Sequence, residues 1–160
     1  MLKLEETKDP EAIKSFCKGV GLMKRLMGGV GTSADIDSVV KDNNKIFVLA
    51  FDDARPVGFV MFDRIDVFQN RAYGYAIHFC LHTGKGLKSD FEKTKRLIAM
   101  AIRHAVHFLD AAVIYAAYPK SSKAVRKLMQ YFGFQSNDEF KRMNHALIPA
   151  DYYFESIKVN

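Results

Sequence analysis

The run Thr83-Gly84-Lys85-Gly86-Leu87-Lys88 stands between an apolar, strand-forming segment, Ala76 to Leu81, and an amphipathic segment of helical period, Asp90 to Leu109. A strand that meets a helix through glycines can turn several unpaired backbone amides, and the positive end of the helix dipole, toward one anion. Glycine lets the backbone approach such a group closely because no side chain intervenes. The junction is therefore a candidate phosphate cradle, although Gly-x-Gly also occurs in ordinary connections that need positive φ. Two titratable side chains lie on neighbouring apolar stretches. His78 interrupts the segment just before the run, and its ordinary pKa near neutrality suits a proton acceptor; a histidine satisfied within the core is the structural alternative. Tyr118 ends a second apolar stretch ahead of Pro119, either as a phenol for proton transfer or as the anchor of a strand end. His82 adjoins the glycine run, and no Cys or Asp spacing turns the two histidines into a metal site. Asp63 and Asp66 are carboxylates for a cationic amine, or else solvated turn residues.

The elements that must position these groups follow from periodicity. Leu2 to Glu6 reads as a short strand, and Asp9-Pro10 as the cap and first residue of a helix with Ile13, Phe16 and Cys17 on one face. That helix extends toward Met27 and stops at Gly28-Gly29, and Ser33 to Val40 forms another short helix. Met23 and Met27 suit an adaptable apolar surface or a core. The period then changes to two: Ile46 to Phe51, a turn at Asp52-Asp53-Ala54-Arg55, and Val57 to Phe62 form a hairpin, followed by a third strand from Arg71 to Leu81. After the glycine run, Phe91, Leu97, Ile98, Ala101, Ile102, Ala105, Phe108 and Leu109 recur at the spacing of a buried helical stripe, with Ser89 and Glu92 as a capping box. Ala112 to Tyr118 is a compact strand. Ser121 or Ser122 caps a helix through Gln130 that Gly133-Phe134 ends. The tail, Phe134 to Ala146 and Tyr152 to Val159, reads as an antiparallel pair of extended segments.

With 160 residues, nearly half of them apolar, the chain suits a single globular domain over 1–160 without disulfide or metal support. No stretch has the apolar length of a membrane span, and the start lacks a secretory signal. Cys17 and Cys80 sit outside any metal or disulfide spacing and read as buried free thiols, which predicts a cytoplasmic protein. The net charge of +6 favours an anionic ligand. Lys85, Lys88, Lys93, Lys95 and Arg96 flank the glycine run, and Lys120, Lys123, Arg126 and Lys127 decorate the next helix. No basic patch is interleaved with aromatics, which disfavours nucleic acid as the partner.

The order of antiparallel strands, glycine loop, helix, strand, helix, Gly-Phe and strands resembles the GNAT superfamily of acyl-coenzyme A dependent N-acyltransferases. Two blocks carry the resemblance: Thr83 to Lys88 is similar to the superfamily's pyrophosphate loop, Arg/Gln-x-x-Gly-x-Gly/Ala, and Ser122 to Phe134 is similar to its Asn-capped helix ending in Gly-Phe. The resemblance implies an α/β (α+β) fold: a mixed, mostly antiparallel central sheet of six to seven strands flanked by about four helices. It implies acetyl-coenzyme A, or another acyl-coenzyme A, as cofactor and an amine-bearing acceptor on a protein, peptide or small molecule as partner. The backbone amides of Lys85, Gly86, Leu87 and Lys88 would hold the diphosphate, with Thr83 and Gly84 in the same cofactor-binding loop; Phe79 and Leu81 would pair with the pantetheine arm, and Ser122 would take the capping position at the cofactor. His78 becomes the candidate base and Tyr118 the candidate acid.

Four positions depart from the superfamily's pattern: Thr83 for Arg or Gln, Lys88 for a small residue, Ser122 for Asn, and Met129 for a tyrosine that protonates the departing thiolate. Tyr131 lies two residues on, rotated by about 200° around an ideal helix, and so points elsewhere. These departures motivate an alternative, a catalytically degenerate GNAT-like protein acting as a binding or assembly factor with a protein partner. Some bacteriophage proteins that resemble the superfamily are associated with virion assembly.

Overall fold

The computed structural model describes residues 1–17, 37, 40–67, 73–81, 91–144 and 151–159, with 15–17, 66–67, 79–81 and 144 described by backbone alone. The glycine run 83–88, His82, Ser89, Met23, Met27, the helix extension past Cys17 and most of the 33–40 helix lie outside the described residues. The strands are β1 (Leu2–Thr7), β2 (Lys45–Asp52), β3 (Arg55–Val67), β4 (Tyr73–Leu81), β5 (Ala111–Pro119), β6 (Gln135–Ser136) and β7 (Tyr152–Lys158). The helices among the described residues are α1 (Pro10–Cys17), α2 (Phe91–Phe108), α3 (Lys123–Tyr131) and α4 (Asp138–Asn144). None is long and apolar enough to cross a membrane.

Among the described residues, seven strands form one mixed sheet in the order β1-β2-β3-β4-β5-β7-β6. The pair β4 and β5 is parallel, with α2 as the crossover, and every other neighbouring pair is antiparallel. Alternation divides the side chains between two layers. One face, with Val48, Val60, Phe62, Tyr75, Ile77, Ile114, Ala116 and Tyr118, packs against Leu97, Ile98, Ala101 and Ala105 of α2 and Leu128 and Met129 of α3. The other face carries two smaller clusters. Phe47, Leu49, Phe59 and Met61 lie under Ile13 of α1, whereas Ala76, Tyr115 and Phe154 lie under Phe140 of α4.

Local chemistry accounts for the boundaries. The carboxylate of Asp9 accepts the Glu11 amide at 3.0 Å and caps α1, while Pro10 opens the helix at no cost in hydrogen bonds. The β2–β3 hairpin turns on Asp53-Ala54, with Asp53 at φ 55, a conformation that aspartate tolerates better than most side chains. At the end of α3, the Gly133 amide bonds the Gln130 carbonyl at 3.0 Å and the Phe134 amide bonds the Met129 carbonyl at 3.1 Å. With Gly133 at φ 84, this is the two-bond Schellman termination that Gly-Phe implied.

Two expectations are corrected. Residues 134–146 are not one extended segment: β6 is only Gln135–Ser136, and α4 follows from Asp138. The side chain of Asn137 accepts the Phe140 amide at 2.9 Å and caps α4, and Asp138 and Glu139 then occupy the helix start, where the dipole favours negative charge. Strand β7 accordingly pairs with β5 as well as with β6. Phe108, counted in the buried stripe of α2, is 74% exposed and packs on the ring of His104, 4.9 Å between centroids. Thr94 is buried on the stripe instead.

Candidate functional site

The ladder between β4 and β5 is short. It pairs Tyr73 with Ala111 and ends with Ala76 opposite Tyr115. Beyond that point β4 continues to Leu81 on the ladder of β3, and β5 continues to Pro119 on the ladder of β7. Among the described residues, 77–81 of β4 and 116–119 of β5 have no ladder partner on their facing edges. The sheet therefore divides into a gap at the carboxyl ends of two parallel strands, the place where open α/β sheets take ligands. Backbone amides and carbonyls along such a gap require partners, and an extended ligand bearing amides can supply them as an added strand would.

Helix α2 follows the carboxyl end of β4, and α3 follows the carboxyl end of β5, so both begin at the mouth of the gap. Their first turns bring cations to this end, several of them already engaged. The ammonium of Lys95 lies 4.2 Å from the Tyr131 ring centre, and that of Lys127 lies 5.4 Å from the Phe91 ring centre. Lys93 approaches Asp52 at 3.9 Å. Ser122 occupies the N-cap position of α3 without a side-chain capping bond, which leaves its hydroxyl uncommitted to the helix at the mouth.

The structure puts His78 and Tyr118 on the two strands that flank the gap, but on opposite faces of the sheet. His78 pairs across the β3 ladder with Met61 and shares the face of Ala76, between the clusters under α1 and α4. Burial pushes its pKa below the ordinary histidine value; the nearby Asp63 charge acts to raise it and Lys45 to lower it. The imidazole is thus held toward its neutral form, the one that accepts a proton. Asp63 is not a solvated turn residue: it lies within β3 and pairs with Lys45 at 2.9 Å.

Tyr118 faces α2 and α3 and is 4% exposed. Its hydroxyl donates to the carboxylate of Glu155 on β7, itself 8% exposed. Burial first, and that carboxylate second, push the phenol pKa far above its usual value. Tyr153, opposite Tyr118 on the ladder, packs against it with the rings tilted and their centres 5.3 Å apart, and takes a hydrogen bond from Arg126 of α3, whose guanidinium lies 4.6 Å over the ring. Met129 is fully buried in the main core, and Tyr131 is 63% exposed, pointing away from it as the helical rotation requires.

Phe79 and Leu81 are placed by backbone on the free stretch of β4. Glu155 and the Lys45–Asp63 pair were not singled out in the sequence. A lone carboxylate inside the apolar run Tyr152-Tyr153-Phe154-Glu155-Ser156-Ile157 was the available signal for Glu155.

No family model matches the chain, and no curated protein matches it in sequence. Solved structures do match in fold. The N-acetyltransferase PseH of Campylobacter jejuni, in complex with acetyl coenzyme A, superposes with a TM-score of 0.65 at 18% identity, covering 99% of each chain. A spermidine N-acetyltransferase SpeG chimera, from Vibrio cholerae and hSSAT, gives a TM-score of 0.69 at 16% identity over 99% of this chain and 95% of that one. A GNAT-family acetyltransferase from Streptococcus pneumoniae gives 0.62 at 14% identity over the whole of both chains. With a mixed sheet of seven strands among the described residues, parallel there at the pair that divides, this chain has the GNAT fold.

Proposed function

We propose that this chain is a single-domain, acyl-coenzyme A dependent N-acyltransferase, with acetyl-coenzyme A as donor and a primary amine as acceptor. The observation that carries the reading is the gap between β4 and β5, in a fold shared with an N-acetyltransferase whose structure holds acetyl coenzyme A. The free strand edges fit the amide-bearing arm of such a cofactor, and the positive net charge fits its phosphates. The backbone of Phe79 and Leu81 would hold the arm; the amides of Lys85 to Lys88, with the Ser122 hydroxyl, would hold the diphosphate. When bound, the cofactor supplies an activated acyl thioester.

His78 is the base. Its neutral imidazole takes a proton from the acceptor ammonium on the face between α1 and α4, leaving a free amine lone pair directed at the gap. Tyr118 stands on the opposite face, and its proton is engaged by Glu155. An effective general acid has a pKa near the working pH, which this phenol lacks. We therefore give Tyr118 the role of fixing β5 to β7 at the mouth of the gap.

Isothermal titration with acetyl-coenzyme A tests the reading: binding is expected, and no heat at millimolar cofactor would overturn it. Burial of Met129, where an enzyme tyrosine would stand, favours a second reading as a binding or assembly factor. That reading predicts a stable protein partner whose capture is indifferent to His78→Ala, and it fails if acyl transfer is present and lost in His78→Ala.

A further inference from the structure

Strand register brings three charged or titratable side chains to one face of the sheet. Lys45 pairs with Asp63 across β2 and β3, Asp63 pairs with Ala76 across β3 and β4, and His78 lies two residues beyond Ala76 on the same face. The Lys45 ammonium sits 2.9 Å from the Asp63 carboxylate, and both side chains are about three-quarters covered, at 25% and 28% exposure. Asp63 is thus a diagonal neighbour of His78, a relation that puts the Cβ atoms about 7 Å apart, within reach of long-range charge but outside direct contact.

We infer that Asp63 and Lys45 are positioning residues for His78: the carboxylate stabilises the imidazolium formed when the base takes a proton, and the ammonium offsets part of the carboxylate's field on the resting imidazole. This rests on the role of His78 as base. In the step concerned, an N–H bond of the acceptor ammonium breaks and an N–H bond forms on the imidazole, so one positive charge moves from acceptor to His78. Burial already holds the resting imidazole toward its neutral form, and a lone carboxylate beside it would work against that burial before the acceptor arrived. A lone ammonium would oppose proton capture altogether. The pair, with the negative charge one strand nearer than the positive one, divides these demands.

The direction of each field agrees with this arrangement, since Asp63 acts to raise the His78 pKa and Lys45 to lower it. Other elements packed on this face carry charges of their own. On α1, Lys14 is tied to Asp37 at 2.9 Å and to Glu11 at 3.4 Å; α4 presents Asp138, Glu139, Lys141 and Arg142 on its exposed side.

The test reads the imidazole itself, by proton NMR titration of the His78 ring in the full chain, and is independent of turnover. His78→Gln identifies the signal. Asp63→Asn is expected to weaken proton binding at His78 by about threefold to tenfold, for a unit charge some 7 Å away in a partly solvated setting, and Lys45→Gln, one strand farther off, to strengthen it by a smaller factor of about twofold to threefold. The double variant is expected to fall between the two single variants. Should Asp63→Asn misfold because Lys45 loses its partner, Lys45→Gln and the double variant still decide. The inference is overturned if Lys45→Gln leaves the His78 titration unmoved or shifts it toward lower pH. A failure to bind acetyl-coenzyme A would instead refute the acyltransferase reading and leave this titration standing.

Discussion

Replacing Tyr118 by phenylalanine separates a structural phenol from a catalytic one. The substitution removes one hydroxyl, keeps the ring that packs on Tyr153 at 5.3 Å, and leaves the Glu155 carboxylate, 8% exposed, without the donor that Tyr118 provides. A hydrogen bond to a charged group contributes about 1.5–3 kcal/mol, and a buried acceptor left without its partner sits toward the upper end. For a chain of this size each kcal/mol moves the melting temperature by about 2–4 °C, so Tyr118→Phe should melt about 3–12 °C lower. Glu155→Gln keeps an acceptor for the phenol and should lose less. A double-mutant cycle on the two positions should return a coupling of about 1–2 kcal/mol. The pH dependence has a definite sign. The folded phenol holds its proton above the unfolded pKa of about 10, so its contribution is complete below that pH and is lost as pH rises through the folded value. Urea unfolding between pH 7 and 11 should therefore show a constant difference between parent and variant up to about pH 10 that begins to shrink above it. With bound acetyl-coenzyme A and an amine acceptor, thiol release by Tyr118→Phe should stay within a few-fold of the parent at a temperature where both are folded. A loss of a hundredfold or more in kcat, with stability unchanged, would refute this reasoning and restore Tyr118 as the acid.

Two further outcomes follow from single groups. Gly133→Ala places a Cβ in open space but at φ 84, so it should cost about 1 kcal/mol through backbone strain alone, read by chemical denaturation, with the α3 termination kept. His78 has a folded pKa below its unfolded value of about 6.5, so the unfolded chain binds more protons and stability should fall as pH drops below about 6.5, levelling off beneath the folded pKa; His78→Gln should abolish that slope in urea melts.

Much of the fold was legible because its signals are local. The period-two runs of β2, β3 and β4, the Leu97-Ile98-Ala101-Ala105 stripe of α2 and the Gly133-Phe134 stop of α3 are each set by residues within one or two turns of one another. The same kind of signal is present for α4, where Asn137 caps Asp138 and Glu139, yet the tail reads from sequence as two extended segments in an antiparallel pair. The partner of β7 is mainly β5, which no local pattern reveals. Phe108 fell on a helical stripe by count, but α2 has reached its final turn there and the ring closes on His104 instead of the sheet. The site was legible as single residues and not as an arrangement. His78 and Tyr118 stand out by type, whereas their placement on opposite faces, the engagement of Tyr118 by Glu155, and the end of the β4–β5 ladder after Ala76 depend on pairings across distant sequence.

Strand β7 follows the other described strands in sequence, yet it lies inside the sheet, between β5 and β6. On a ribosome, β5 and its Tyr118 would wait with one edge bare until residues 152–158 emerged, and that edge would present the unpaired amides and carbonyls of an apolar strand. A nascent chain stalled before Tyr152 would thus expose a sticky half-sheet, a substrate for chaperones and a seed for aggregation. Half of the ligand gap is completed only by this late arrival, so the wall that β5 forms should become protected from hydrogen exchange among the final events of refolding.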